Sequence, residues 1–202
     1  MAIESKVKQV EQLFYKLELE LNGFQSVTDL YCTSGCGKCC STPTIDASPL
    51  EFLPWAFQLF LNGKAEETLV ELHHKNNSIC HLYRQLSVVD SNNGSCSNYQ
   101  YRGLICRLFG YAASRDKYGK LRLATCKIIK ETQQENYLTT IEAINNGLYV
   151  PIFSDYYMNL SQIDYHLGTT IVPINQALKR AIEEVLHYYA YRPFPSGLEE
   201  IA

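Results

Sequence analysis

Apolar residues recur at three- and four-residue intervals in several parts of the chain, the spacing of one buried helix face. The first such stretch covers residues 3–21, and others cover residues 132–144 and 175–189. Ser48-Pro49-Leu-Glu51 has the form of a capping box with proline at the first helical position, which predicts a helix running to Asn62-Gly63. Residues 65–74 predict a further short helix.

The later helical stretches also predict which side chains face inward. Leu138, Ile141 and Ile144 share one face of the predicted helix over residues 132–144. In the last helix we predict two ion pairs at four-residue spacing, Lys179–Glu183 and Arg180–Glu184.

Two runs in the middle of the chain are rich in strand-forming residues, Leu104–Phe109 and Leu121–Ile129. A turn-like stretch, Ser114–Gly119, separates them, so we predict a β-hairpin that places Cys106 and Cys126 opposite or diagonal to each other. The expected fold class is mainly α with a small β-hairpin (α+β). Helices would pack around a cysteine-rich metal-binding loop and hairpin core.

The composition is that of a globular protein, with 46% hydrophobic and 19% charged residues. The length suits a single domain over residues 1–202. We expect a cysteine-cluster core at 32–130, with the N-terminal helix 3–21 and C-terminal helical support at 131–190. A net charge of −3 excludes a globally basic nucleic-acid binder.

Eight cysteines are confined to one part of the chain, and disulfides, buried thiols and metal ligands compete to explain them. Residues 1–21 carry charges throughout, without the apolar run of a signal peptide, and no segment is apolar enough to span a bilayer. We therefore expect a cytoplasmic protein without a membrane partner, in which thiols stay reduced.

The spacing of the first cysteines favours metal binding. Cys32, Cys36, Cys39 and Cys40 place four sulfurs within nine residues, and a turn at Ser91–Ser95 precedes Cys96. Adjacent side chains point in different directions, so Cys39 and Cys40 are expected to serve two centres or opposite sides of one polynuclear centre. The candidate metal ligands are Cys32, Cys36, Cys39, Cys40, Cys80, Cys96, Cys106 and Cys126.

Residues 99–130 hold eight basic side chains and one acidic side chain, Asp116. One interpretation is charge compensation of thiolate ligands, with Arg102 and Arg107 hydrogen-bonding to sulfur from the second shell. The other is a patch for an anionic or nucleic-acid ligand, with nearby tyrosines as stacking surfaces. His73, His74 and His81 could replace a thiolate if one cysteine is merely buried.

Two cysteine signatures resemble those of the CxxCxxCC family (YkgJ-like cysteine cluster proteins). The first is Cys32-x₃-Cys36-x₂-Cys39-Cys40, and the second is Cys96-x₂-Tyr99-x₂-Arg102-Gly-x₂-Cys106-Arg107-x-Phe109. Cys80 matches a further cysteine of the family. The sequence departs from the family pattern by one extra residue in the first gap, by Gly103 in place of a proline, and by His81 in place of another proline.

The resemblance implies a zinc- or iron-chelating protein, with an iron–sulfur cluster as one form of the iron. It leaves an Fe–S-containing oxidoreductase or a methyl-transfer enzyme as one alternative, since one relative, flagellin lysine methylase, joins a similar cysteine region to methyl transfer. A zinc-stabilised RNA- or protein-binding module is the other. Spacing alone does not separate zinc from iron.

Overall fold

A computed structural model describes residues 1–33, 35–74, 79–87 and 93–195. The structure is 58% helical with small antiparallel strand pairs, which confirms the predicted fold class. No helix in these ranges is both long and apolar enough to cross a membrane. Residues 91 and 92 of the predicted turn before Cys96 lie outside the described residues.

The helices and strands follow one another in short segments joined by loops. The helices are α1 (Ile3–Thr28), α2 (Leu53–Leu61), α3 (Ala65–His74), α4 (Leu104–Leu108), α5 (Lys127–Thr132), α6 (Gln134–Asn145), α7 (Phe153–Ile163), α8 (Tyr165–Thr169) and α9 (Ile174–Tyr189). The antiparallel pairs are β1 (Asp46–Ala47) with β6 (Val172–Pro173), β2 (Tyr83–Gln85) with β3 (Gly94–Cys96), and β4 (Ala112–Arg115) with β5 (Leu121–Ala124).

Helix α1 is longer than the stretch predicted over residues 3–21. Its buried stripe continues through Phe24 and Thr28, and the helix ends where Asp29 adopts a left-handed conformation with φ of 52°. The extra two turns carry the helix from one apolar core to a second one. The first cysteine, Cys32, follows shortly after the end of this helix.

The larger core forms where α1, α2 and α9 meet. Leu17 of α1, Leu53 of α2 and Ile182 of α9 are all fully buried there. The Glu51 carboxylate accepts the Ser48 backbone N–H at 2.8 Å, as the predicted capping box requires, and the 3₁₀ turn at Pro49–Phe52 that starts there leads into α2. This core forms because each helix buries the apolar stripe that its sequence spacing provides.

A second core lies beside the β4–β5 hairpin. It contains Phe24 from α1, Leu123 from β5, Ile129 from α5 and Ile144 from α6. Cys126 packs against this second core, whereas Cys80, Cys96 and Cys106 belong to the first core or pack against it. The cysteines therefore fall on both sides of the division between the two cores.

The hairpin exists, but one of its strands was predicted in the wrong place. Strand β4 begins at Ala112, and its register pairs Ala112 with Ala124 and Arg115 with Leu121 around the predicted turn. The run predicted as the first strand is helix α4, whose second residue, Ile105, donates its backbone N–H to the Glu51 carboxylate at 3.1 Å. The hairpin consequently does not bring Cys106 and Cys126 opposite each other.

The C-terminal helices also differ in detail from the prediction. Helix α6 begins at Gln134, and Leu138 is 58% exposed, so the prediction that Leu138 faces inward was wrong. The Lys179–Glu183 pair is present at 3.7 Å. Glu184 instead lies 3.7 Å from Lys6, because α1 packs alongside α9 and offers a closer cation than predicted.

Candidate metal centre

A reciprocal side-chain clamp fixes the start of the cysteine loop. Gln133, between α5 and α6, accepts the backbone N–H of Tyr31 at 3.0 Å and donates to its carbonyl at 2.7 Å. Cys32 follows directly, so the clamp holds it near Cys126, which caps the N-terminus of α5 and accepts the Ile129 backbone N–H at 3.4 Å. Two cysteines far apart in sequence are thereby held together.

The centre of the loop rests on the β2–β3 hairpin. The Gly94 backbone N–H donates to the Gly35 carbonyl at 2.9 Å, and Cys36 forms an isolated bridge with Asn93. Gly37 is buried so closely that a Cβ there would lie 2.7 Å from the Gly94 Cα. Glycine at position 37 therefore allows the loop to approach the strand that carries Cys96.

Four cysteines, which we call group A, surround one surface pocket of about 170 Å³. The group consists of Cys32, Cys36, Cys39 and Cys126. Burial and, to a smaller extent, the thiolates of Cys39, Cys36 and Cys126 together raise the pKa of the Cys32 thiol to about 11. Such mutual repulsion arises when several thiolates share a small volume without a cation between them.

The other four cysteines, which we call group B, lie deeper. They are Cys40, Cys80, Cys96 and Cys106. Burial raises the pKa of Cys106, and the thiolates of Cys80 and Cys96 raise it further. The thiolates of Cys106 and Cys96 also help to raise the pKa of Cys40.

Cys39 and Cys40 form the junction between the two groups. Their sulfur atoms lie 4.0 Å apart. Either thiol can be the donor in this contact, which lowers the pKa of Cys39 and raises that of Cys40. Cys39 contributes to the group A pocket and is also close enough to Cys106 to raise its pKa slightly.

Arg102 and Arg107 lie beside group B. Burial raises the pKa of Cys96, while both guanidinium groups act in the opposite direction. Arg107 donates to the carbonyls of Gln100 and Arg102, and its pKa is lowered to about 10 by burial and by the charge of Arg102, so it stays cationic at neutral pH. The guanidinium carbon of Arg102 lies 3.8 Å from the centre of the Tyr99 ring.

The donor chemistry fits a thiolate-bound metal. Nε and Nη1 of Arg102 are buried with no hydrogen-bond partner among the described residues, although Cys96 and Cys106 are close. A negatively charged metal–thiolate cluster would provide acceptors for these two nitrogens. In the described ranges, however, no three cysteine, histidine, aspartate or glutamate side chains already stand in the arrangement of a metal site, so binding requires the thiols to close around the ion.

Glu51 supports group B in a way that the sequence did not indicate beyond its capping box. It is 1% exposed and accepts both the Ser48 backbone N–H at 2.8 Å and the Ile105 N–H at 3.1 Å. Burial raises the pKa of this carboxyl despite these donors. Glu51 thus joins the first core to the short helix that carries Cys106.

The histidines near Cys80 differ in their surroundings. His73 and His74 are exposed in the last turn of α3. His81 packs against Trp55 with ring centroids 6.4 Å apart, and its Nε2 lies 3.6 Å from Glu71.

The basic segment over residues 99–130 is largely engaged within the protein. Arg122 pairs with Asp116 at 3.2 Å, and Lys127 lies 3.5 Å from Glu131. Lys130 lies over the ring of Tyr137 at 5.5 Å. These contacts, like those of Arg102 and Arg107, give no support to a nucleic-acid ligand.

Comparison with known proteins identifies the family. A family model, described as CxxCxxCC, a putative zinc- or iron-chelating domain, matches residues 31–139. No curated protein and no solved structure matches the chain. The matched range includes all eight cysteines and covers more than half of the chain. The chain therefore belongs to the CxxCxxCC family.

Proposed function

We propose that the protein binds zinc or iron at two thiolate centres, one built from group A and one from group B. The observation that carries the proposal is the division of eight thiols into two neighbourhoods of four. Cys39 belongs to one neighbourhood and Cys40 to the other. Four thiolates are the donor set of closed zinc sites and of iron–sulfur clusters. The coordination of all eight cysteines is part of the proposal.

The surroundings of group B support a negatively charged centre. Four thiolates around a divalent ion leave a charge of about −2, which needs cations or hydrogen-bond donors nearby. Arg102 and Arg107 supply both, and Arg102 has two buried nitrogens without partners in the described part of the chain. We assign them the role of orienting and stabilising the thiolates of Cys96 and Cys106.

The first test is a metal count with a visible spectrum after anaerobic purification. We expect two zinc ions per chain in colourless protein, or iron with sulfide in brown protein. Replacement of zinc by cobalt should give intense thiolate-to-metal absorption. One ion per chain, bound by four of the eight cysteines, would refute the two-centre arrangement.

Cys39→Ser and Cys40→Ser form a matched pair for the assignment of ligands. The residues are adjacent and chemically identical, yet we assign them to different groups. Each variant should lose one centre, and the remaining centre should differ between the two. Loss of the same centre in both variants would contradict the division of the cysteines.

An iron–sulfur redox protein is the second candidate, and the contact between Cys39 and Cys40 favours it. Their sulfur atoms, 4.0 Å apart, would link the two centres closely enough for electron transfer. A reversible change in the visible spectrum on addition of dithionite would support this candidate. Colourless protein containing only zinc would exclude it.

Reduced thiolates also bear on the compartment in which the protein works. Disulfides form in oxidising compartments and would remove the proposed ligands. We therefore propose that the protein acts in a reducing compartment, the cytoplasm. Free thiols in protein alkylated at the moment of cell lysis would support this.

A further inference from the structure

The two groups of thiols differ in their access to solvent. Cys32 and Cys39 of group A are exposed, and all four members line the surface pocket. Group B contains Cys80, which is 9% exposed within the larger core, and Cys96 and Cys106 pack against the same core. An external ligand can therefore reach group A without any opening of the larger core.

The walls of the group A pocket define the kind of ligand that fits it. Its lining combines the four cysteines with apolar side chains such as Phe109 and Ile128. Lys38 and Lys127 also line it, and the Lys127 side chain is 82% exposed although it lies 3.5 Å from Glu131. A small anionic ligand suits this combination, because the lysines attract its charge and a soft donor atom can bind a metal ion held by the thiolates.

The hydrogen bonds around the two groups also indicate that group B is held more firmly than group A. Within group A, the Cys32 thiol makes a 3.9 Å contact with the carbonyl of Thr33. Around group B, Glu51 holds the helix of Cys106, and Asn175 accepts the His81 backbone N–H at 2.7 Å and donates to the Ile79 carbonyl at 2.9 Å, on either side of Cys80. Three of the four group B cysteines belong to the larger core or pack against it, whereas three of the four group A cysteines lie on the surface loop.

We infer that group A is an exchange site, at which a small anionic thiol takes up or delivers the metal ion, and that group B retains its ion as part of the fold. This inference rests on the two-centre function proposed above. In the exchange step, a bond from the metal to the incoming thiolate forms as a bond to one group A thiolate breaks. No electron is transferred, and the displaced thiolate keeps its electron pair.

The experiment is to follow zinc release from the zinc-loaded full-length protein into a metal-binding dye, with glutathione as the anionic thiol. We expect two phases with rates about tenfold or more apart, because only one site is accessible without opening of the core. Cys126→Ser should lack the fast phase. Cys80→Ser should lack the slow phase. If Cys80→Ser does not fold, Cys96→Ser is used as the group B variant.

Charge variants test the pocket itself. Lys38→Gln/Lys127→Gln should slow the fast phase with glutathione by about threefold at low ionic strength, and less at high salt. The rate with 2-mercaptoethanol, whose thiolate carries less negative charge because it has no carboxylates, should slow less. Lys64→Gln/Lys117→Gln removes two lysines outside the pocket and should leave both rates as they are.

The outcomes separate this inference from the proposed function. Fewer than two zinc ions bound before any thiol is added would refute the proposed function and the inference together. Two ions released in a single phase would overturn the inference alone. A fast phase that survives Cys126→Ser, or equal slowing by the two lysine pairs, would also overturn it.

Discussion

At the scale of single residues, close approach and charge decide where the thiols lie. Gly37 brings the cysteine loop against Gly94, and that contact places Cys36–Cys40 beside the strand that ends in Cys96. Arg102 then lies near the sulfur atoms with two of its buried nitrogens unpartnered among the described residues. Each of these two features leads to a substitution that tests it.

Gly37→Ala should destabilise the protein and weaken metal binding. The new Cβ would lie 2.7 Å from Gly94 Cα and 2.9 Å from its carbonyl carbon, so backbone must move. We expect a loss of about 1–3 kcal/mol in the free energy of unfolding by urea, the usual cost of overpacking. Gly23→Ala is the control because it lies within α1 with no atom within 4 Å of its new Cβ. It should instead stabilise the protein by about 0.5–1 kcal/mol. Equal stability of Gly37→Ala and wild type would refute the close approach.

Arg102→Met should weaken the affinity of group B for zinc by about 10- to 100-fold, the usual effect of losing a group that hydrogen-bonds to a metal ligand. The substitution keeps an apolar stem but removes the cation beside Cys96 and Cys106. Competition with a chelator of known affinity measures the change. Arg115→Met removes an exposed arginine from β4 and should leave both zinc affinities unchanged. A similar loss in both variants would mean that overall charge, not position, is responsible.

At the scale of elements, the loop and the helices hold the two groups in place through a few long-range contacts. The Gln133 clamp joins the end of α1 to the junction of α5 and α6. Asn136 adds a third bond by donating to the Asp29 carbonyl at 3.3 Å. Group A therefore depends on the packing of α1 against α6, although neither helix carries one of its cysteines.

Gln133→Ala should lower the zinc affinity of group A while leaving that of group B intact. The loss of two hydrogen bonds to the Tyr31 backbone frees the segment before Cys32, at a cost of about 1–2 kcal/mol. Titration with zinc should show one weakened site. Gln134→Ala is the control, since this adjacent glutamine is exposed. Weakening of both sites by Gln133→Ala would contradict a local role for the clamp.

The sequence predicted some elements well because their determinants are local. Helix α3 has the predicted bounds, and the capping box at Ser48 is formed as predicted. Leu104–Leu108 was predicted as a strand because a short apolar run does not distinguish strand from helix. The acceptor that favours the helix, the Glu51 carboxylate, comes from a residue far away in sequence.

The candidate site could be predicted only in part for the same reason. Cysteine spacing and the family resemblance predicted eight candidate ligands and different centres, or different sides of one centre, for Cys39 and Cys40, and these stay predictions. It could not identify which later cysteine joins which group, because that depends on the two cores. Cys126 was expected near Cys106, yet the shift of β4 to Ala112 puts it beside Cys32.

The junction of α7 and α8 carries a carboxylate whose ionisation stabilises the fold. Asp164 accepts the Leu167 backbone N–H at 2.9 Å and lies 2.7 Å from Lys6 of α1. Partial burial opposes its ionisation, but these partners outweigh burial and lower the pKa of Asp164. A lowered carboxyl pKa contributes stability above the unfolded-state value of about 4, and this contribution is lost as the pH falls through the folded-state value.

Asp164→Asn should therefore cost about 0.5–1 kcal/mol of unfolding free energy at pH 7, because it keeps a helix cap but removes the ion pair. The difference from wild type should shrink as the pH falls below about 4. Asp164→Ala removes the cap as well and should cost about 1 kcal/mol more. Urea unfolding of all three proteins between pH 3 and 7 measures these differences. A difference between wild type and Asp164→Asn that stays constant with pH would show that the ion pair contributes nothing.

At the scale of the whole molecule, the cysteines lie along the boundary between two apolar cores. Cys80, Cys96 and Cys106 of group B belong to the larger core or pack against it, and Cys126 of group A packs against the smaller one. Among the described helices, only α1 contributes buried apolar residues to both cores. Ions at the two centres would therefore add stability to both cores and strengthen the connection between them.

Removal of both zinc ions should lower the thermal midpoint by roughly 15–30 °C. Free zinc at about a thousand times its dissociation constant contributes about 4 kcal/mol at each of the two sites, and each kcal/mol shifts the midpoint of a chain this long by about 2–4 °C. Differential scanning calorimetry with and without a chelator measures the shift. Zinc should restore the midpoint and magnesium should not, because magnesium prefers oxygen ligands.

The single tryptophan allows the contributions of the two groups to be separated. Trp55 is buried in the larger core and packs against His81, the residue after Cys80, whereas group A lies against the other core. Cys80→Ser should therefore change the emission of Trp55 on zinc titration, since the loss of group B alters its surroundings. Cys126→Ser should keep the wild-type response while losing one zinc ion. If both variants abolish the Trp55 response equally, the two centres form as one cooperative unit, and the independence of the two cores is wrong.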